Sequence, residues 1–287
     1  TGWDHVWIKN HPEYYTKNAK GEIIDPINPE TGKSWGWSDV ADLNYDNQGL
    51  RKEMTDDMLH WIKNENIDGF RCDVASNVPL DFWQQAIPQL RKEKNIFMLA
   101  EAWEPELLKD GLFDMAYGWE AHHTMNRIAQ GKNTVKDWDK LILDNQKKYN
   151  ANDILMNFVD NHDENSWNGT TKSRLAKAEE AMTALSYVMP GMPLIYSGNE
   201  YGLNHSLKFF EKDSIPKTKG SAWELRRKLG KLKTENSALN GGKKSASYKK
   251  IATPNDTEIL AFERKKNGDK IIYIANLSDK TISTSLP

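Results

Sequence analysis

Beyond Asn47 the apolar positions change period again and again. In NQGLRKEMTDDMLHWIKNENI, residues 47–67, Leu50, Met54, Met58, Trp61 and Ile62 recur at the spacing of one helix face. IDGFRCDV then follows with the length and apolar density of a strand. The couple repeats along the chain. PLDFWQQAIPQLRKEK predicts a helix and NIFMLAEAW a strand; LFDMAY predicts a short strand before the helical EAHHTMNRIAQ and VKDWDKLILDNQKKY. DILMNFVDNHD, SRLAKAEEAMTALSYVM, MPLIYSGNEYG and SAWELRRKLGKLKTEN continue as strand, helix, strand, helix.

Strands this short and apolar suit burial on both faces, and the alternation means parallel βα units. The predicted class is α/β, either an open doubly wound sheet or a (β/α)8 TIM-type barrel. The open sheet usually carries a glycine-rich phosphate loop after its first strand, and none follows here. The barrel needs eight strands, and only about five are legible. Both flanks differ from this centre. Residues 1–44 are aromatic and turn-rich (WDHVW, HPEYY, NAKGE), which predicts an irregular lobe with room for a short hairpin. Residues 45–243 hold the βα series. Residues 244–287 alternate as ASYKKIAT, EILAFERKK and KIIYIANL between PNDT and NGDK turns, which predicts a partial antiparallel β domain.

Charge narrows the function classes. Of 287 residues, 28% are charged, yet the formal net charge is only −2, giving no electrostatic case for nucleic acid or an anionic membrane. No apolar run reaches transmembrane length. The single cysteine, Cys72, rules out a disulfide within the chain, and its setting in FRCDVA predicts a buried core residue rather than a nucleophile. The 11 Trp and 10 Tyr supply rings that stack on sugars or simply pack.

In a barrel, the C-terminal ends of the strands face the active-site mouth. Those ends carry Arg71 and Asp73, Glu101, the group Asn161, His162 and Asp163, and Glu200. Arg71 and Asp73 are two apart on a strand and share a face, so the arginine would keep the carboxylate ionised and fit to act as a nucleophile. A structural ion pair is the other reading. Glu101, in LAEAW, lies among apolar and aromatic residues that favour a protonated carboxyl and suit a general acid, unless it merely caps the strand. FVDNHDENSW, residues 158–167, has three readings: a metal site, a capped helix start, or a corner of a catalytic pocket. No partner histidines or carboxylates elsewhere support a transition metal.

GFRCDVA, LAEAW and FVDNHD resemble, in order and spacing, three short sequence regions of the α-amylase family, glycoside hydrolase family 13. DVADLN at residues 39–44 resembles a further signature at the end of the lobe inserted after the third barrel strand, and GMPLIYSGNEYG resembles the eighth strand. The resemblance implies that about strands 4–8 of the barrel are present, with residues 1–44 as the inserted lobe and 244–287 as part of the C-terminal β domain. It implies Asp73 as nucleophile held by Arg71, Glu101 as general acid/base, and Asp163 as the third carboxylate. His162 would stabilise the transition state, with Asn161 behind it. Arg71, His162, Asn161 and Trp103 form the candidate substrate-binding set, and Glu200 receives no catalytic role. The implied reaction is retaining hydrolysis of α-1,4-linked glucans, with Asp73 and Glu101 carboxyl groups about 5–5.5 Å apart. Activity on shorter or α-1,6-linked oligosaccharides, as in neopullulanases and α-glucosidases, is the alternative, and a non-catalytic binding subunit is a third. Trp167 and Tyr201, like Trp103, are placed to stack on sugar or to pack.

One family region, at the end of the third strand, has no counterpart. TGWDHVW resembles the residues that follow it, so the first three strands are expected to be missing, leaving open sheet edges. The chain is then expected to be weakly active or inactive alone, and to pair with its missing half or with a second copy. No cofactor is needed for the chemistry. A structural calcium, with Asp25, Asp39 and Asp42 contributing, is the one possible ion. A secreted, periplasmic or cell-surface home in a bacterium is expected, the cytoplasm being the other choice.

Overall fold

The computed structural model describes residues 1–28 and 31–285; Pro29 and Glu30 of the expected lobe, and Leu286 and Pro287 at the end of the expected β domain, lie outside the described residues. The chain forms two compact units, Thr1–Met98 and Leu99–Pro287.

In the first unit, α1 (Val6–Asn10) and a 3-10 turn at Pro12–Tyr14 lead into a lobe tied by single bridges: Tyr15 to Leu43, Lys17 to Ile23 and Ile27 to Ser34. Its small core is Trp7, Tyr14, Tyr15, Ala41 and Leu50. The next helix, α2 (Gln48–Asn64), begins where Asn47 Oδ1 accepts the Gly49 and Leu50 N–H groups at 2.8 and 3.1 Å. Trp61, expected on its buried face, is 54% exposed. Arg51, Thr55, Met58 and Ile62 form the buried stripe, and Trp61 lies about 100° round the helix from Ile62. Arg51 tolerates burial because its guanidinium donates to the Tyr45 carbonyl and to Asp81 Oδ2, the latter at 2.7 Å.

Strand β1 (Gly69–Cys72) and helix α3 (Leu80–Glu93) complete the unit, α3 burying Phe82, Trp83, Ala86, Ile87 and Leu90. Gly69 is required: its φ is +154°, and a Cβ there would sit 1.8 Å from the Phe97 carbonyl oxygen. Strand β2 (Phe97–Ala100) follows α3 directly.

In the second unit, β3 (Met115–Tyr117) precedes α4 (Trp119–Ala129) and α5 (Val135–Lys148), then come β4 (Leu155–Asn157), α6 (His162–Asn168), α7 (Thr171–Leu175) and α8 (Glu179–Val188). Strand β5 (Met192–Pro193) and α9 (Ser221–Glu235) close the βα series. From Leu99 onward β2, β3, β4 and β5 pair as parallel neighbours in that order, with Leu99 opposite Met115, Ala116 opposite Leu155, and Met156 opposite Met192. This is an arc of a TIM-type barrel. Its inner apolar group is Met115, Tyr117, Ile154, Met156 and Phe158.

Three elements are shorter than their patterns predict. DILMNFVDNHD is strand only to Asn157, because Asn161 starts a helix. The eighth-strand-like segment is extended over two residues only: Pro193 has no N–H to donate, and Gly198 takes a left-handed φ of +97° into a 3-10 turn. The long helix expected over residues 173–189 breaks at Ala176, whose φ is +45°. After α9, β6 (Ser247–Lys250), β7 (Ile259–Lys266) and β8 (Asp269–Asn276) form an antiparallel sheet. The β7–β8 hairpin turns at Asn267 and Gly268, both left-handed, as an Asn-Gly pair allows. Leu260, Phe262 and Tyr273 of this sheet share one core with Trp138 of α5 and Met182 and Leu185 of α8.

Candidate active site

The candidate residues fall in both compact units, and each set is built by its own unit. In the first, β1 ends at Cys72 and leaves Arg71 and Asp73 on one face. Arg71 Nη1 donates to Asp73 Oδ1. The Asp73 side chain remains 75% exposed and that of Arg71 29%. Cys72, between them, points to the buried side, where burial pushes its thiol up to about 12. Val74 then adopts a φ of +40°, strained for a β-branched side chain, and the turn is closed by Asn77 N–H to the Val74 carbonyl at 2.9 Å. Trp83 Nε1–H donates to the Ala75 carbonyl at 2.9 Å, pinning that turn to α3.

In the second unit, Glu101 stands at the end of β2, half-buried between the buried Ala100 and Ala102. Trp103, two residues further on, is exposed. Its backbone is fixed by its N–H to Glu104 Oε2 at 2.9 Å and by Tyr149 Oη–H to its carbonyl at 2.6 Å.

Residues 158–168 carry the capped helix start that was one of the three readings of FVDNHDENSW. Asn161 is the N-cap of α6, its Oδ1 accepting the Asp163 and Glu164 N–H groups at 3.1 and 2.8 Å. Helix-start chemistry is therefore present. It turns His162 and Asp163 outward, half-exposed, with Nε2 and Oδ2 3.4 Å apart. Among the described residues, no group of three or more His, Cys, Asp or Glu side chains is gathered to hold a metal ion, so Asp25, Asp39 and Asp42 do not form one.

Beneath this turn lies a buried network whose members the sequence reading did not assign. Arg174, from α7, donates through Nη2 to Asp160 Oδ1 at 2.7 Å and to the Val159 carbonyl at 3.0 Å. It also reaches Asn126 Oδ1 at 2.9 Å and the Gly169 carbonyl at 3.0 Å. Asn199 Nδ2 donates to the second Asp160 oxygen at 3.2 Å. Burial raises the Asp160 carboxyl above its usual range, and the Arg174 charge and the Asn199 and Asn165 bonds offset this only in part. Glu164 faces His122 Nε2 at 3.0 Å, while His122 Nδ1 faces the Phe158 carbonyl at 3.1 Å. Burial pushes Glu164 up, but the His122 hydrogen bond, the His122 and Arg174 charges and the Asn168 bond outweigh it, and the carboxyl sits below its usual range. His122 was legible only as one of a buried helix face with Ala121, Met125 and Ile128. Arg174 gave no sign, because its partner is set by the break at Ala176.

Two other expectations resolve plainly. Glu200 caps its own turn, accepting the Gly198 N–H at 2.9 Å, and Tyr201 stacks on Trp223 with ring centres 5.6 Å apart.

The parallel neighbours β2 to β5, with candidate side chains following β2 and β4, form an arc of a TIM-type α/β domain. The sequence profile of the α-amylase catalytic domain matches residues 34–270, and the chain belongs to that family. It is 26% identical over 269 residues to an intracellular maltogenic amylase of Bacillus subtilis, covering 87% of this chain and 43% of that protein. It is 23% identical over 292 residues to an α-amylase of Haloarcula japonica, covering 97% and 42%. The crystal structure of a maltogenic α-amylase from Thermotoga neapolitana superposes with a TM-score of 0.86 at 25% identity, over 100% of this chain and 64% of that one. The chain thus spans less than half the length of these curated relatives. The expectation of a secreted, periplasmic or cell-surface protein is overturned by the relatives named as intracellular maltogenic amylases.

Proposed function

We propose that the protein carrying this chain is a retaining glycoside hydrolase acting on α-1,4-linked glucans and maltooligosaccharides. Asp73 attacks the anomeric carbon and forms a covalent glycosyl-enzyme intermediate; Glu101 protonates the departing oxygen, then activates the water that releases the sugar. Asp163 and His162 bind ring hydroxyls and stabilise charge as the ring flattens, with Asn161 holding their turn from behind. Arg71 holds the Asp73 carboxylate in place, and Trp103 offers an exposed ring to the substrate. The observation that carries this reading is Asp73 itself: an open carboxylate, fixed by Arg71, on the first turn after a parallel strand of an α-amylase catalytic domain. The matching relatives named maltogenic amylases support α-glucan as the substrate class. A role for residues 1–44 as the inserted lobe belongs to the same proposal.

The test is proton NMR of maltopentaose hydrolysis by the intact protein. Retention requires the α-anomer of the new reducing end to appear first and mutarotate afterwards. A β-anomer appearing first excludes a covalent intermediate on Asp73, and no hydrolysis of any α-glucan excludes the hydrolase.

A further inference from the structure

Three large aromatic side chains crowd together in the open beside His162. Trp167 is 62% exposed, Phe209 42% and Phe210 71%. Single exposed rings are ordinary on protein surfaces, but a contiguous set needs a reason. These rings touch in series: Trp167 to Phe209 with centres 5.1 Å apart, Phe209 to Phe210 at 4.9 Å, and Phe209 to His162 at 6.3 Å with planes 27° apart. Trp167 stands four residues after Asp163 on α6, so the two share a helix face.

The set is held still by its backbone. Asn165 Oδ1 accepts the Leu207 N–H at 2.7 Å, and Ser166 Oγ donates to the Leu207 carbonyl at 2.8 Å, fastening the loop that carries both phenylalanines to α6. Beyond Leu207 the loop braces itself: Lys208 N–H to Asp213 Oδ2 at 3.1 Å and Lys208 Nζ to Glu211 Oε2 at 2.7 Å. Flat apolar faces fixed in advance, rimmed by charged groups able to meet hydroxyls, are what a sugar ring requires of a protein surface.

The geometry points to Trp167, Phe209 and Phe210 as a stacking platform for a glucose unit of an α-glucan chain beyond the unit bound at His162 and Asp163, giving preference to longer chains. This rests on the α-glucan reading above, and the His162–Phe209 contact makes the platform continuous with the residues that reading assigns to the substrate.

The test uses the intact protein carrying Asp73→Asn, so that bound sugar is not consumed. Maltoheptaose and maltotriose are titrated by calorimetry, with and without Phe209→Ala and Phe210→Ala together. Maltoheptaose affinity is expected to fall about ten-fold, or about 1.4 kcal/mol, with maltotriose changing less than about two-fold. Phe209→Tyr with Phe210→Tyr keeps the stacking faces and should restore binding, separating lost stacking from a disturbed loop. Equal shifts for both sugars, or none, overturn the platform. So does loss of self-association with sugar binding unchanged, which would make the patch a protein interface. If the unsubstituted protein hydrolyses no α-glucan but the chain-length effect appears, the platform stands and the catalytic reading falls. If it hydrolyses and the effect is absent, the reverse holds.

Discussion

Two arginine–aspartate pairs in this chain share their chemistry and differ in almost everything else. Arg71 and Asp73 meet at the open end of β1, with the Asp73 side chain 75% exposed; Arg174 and Asp160 meet in the interior, 7% and 1% exposed. An exposed pair contributes about 0–1 kcal/mol to stability, since water and side-chain entropy cancel most of the attraction. A buried pair sets a desolvation cost of several kcal/mol against its attraction, and losing one partner leaves the other charge stranded. The same two residue types thus stand open in one place, as the proposed nucleophile requires, and serve as a buried strut in the other. Solvent access separates the two settings.

The sharpest way to break the comparison is Asp73→Asn in the intact protein. It should lower kcat on maltooligosaccharides by at least about 10³-fold, as removal of a nucleophile does, while the urea midpoint stays put. A large stability loss with partial activity would make Asp73 a strut as well. The mirror experiment is Arg174→Met, which strands Asp160 and its neighbour Glu164. Stability should drop by about 3–5 kcal/mol in urea unfolding. A drop no larger than that of Arg71→Met would show that burial does not distinguish the pairs.

The contrast also explains what could be seen in advance. The βα alternation, the antiparallel tail and the strand-end position of Asp73 and Glu101 were legible because period and spacing are local. The turn at residues 158–163 was legible as a polar burst with a capped helix start among its readings, but the strand was expected to run on to Asp163, where the structure ends it at Asn157 and caps a helix with Asn161. The Arg174–Asp160 strut was not legible. It depends on a helix break at Ala176, where sequence shows only good helix formers in LAKAEEA. Trp61 misled for a related reason: a large ring was placed in the buried stripe that Arg51 and Thr55 occupy, because Asp81 was there to satisfy the guanidinium.

A smaller effect tests the acid side of the buried network. Glu164 has a lowered carboxyl pKa in the fold. A depressed value means the group stabilises the fold above the unfolded pKa of about 4.3, and that contribution is lost as pH falls through the folded value. Asp160, raised by burial, runs the other way: its contribution is present below about 3.9 and is lost as pH rises through its folded value. Glu164→Gln should therefore cost about 1–3 kcal/mol at pH 7, with the gap to the parent closing as pH drops below about 4. A gap that stays constant in urea titrations across that range would mean that His122 and Arg174 do not act on a charged Glu164.

The least effect is expected at Cys72, and it probes how thin the exposed region is. Arg71 and Asp73 face outward on either side of this residue, yet its thiol is buried and pushed up to about 12, so at pH 8 it carries almost no thiolate. A thiol reagent such as a disulfide dye should leave the native protein unlabelled over an hour at pH 8 and react with one equivalent in urea. Cys72→Ser should change kcat by less than about two-fold and cost only about 1–3 kcal/mol, the penalty of a buried hydroxyl. Fast labelling of the native protein would mean that β1 opens locally beneath Asp73. The exposed pair would then sit on a mobile strand end, and the contrast with the fixed Arg174–Asp160 strut would become one of motion as well as solvent.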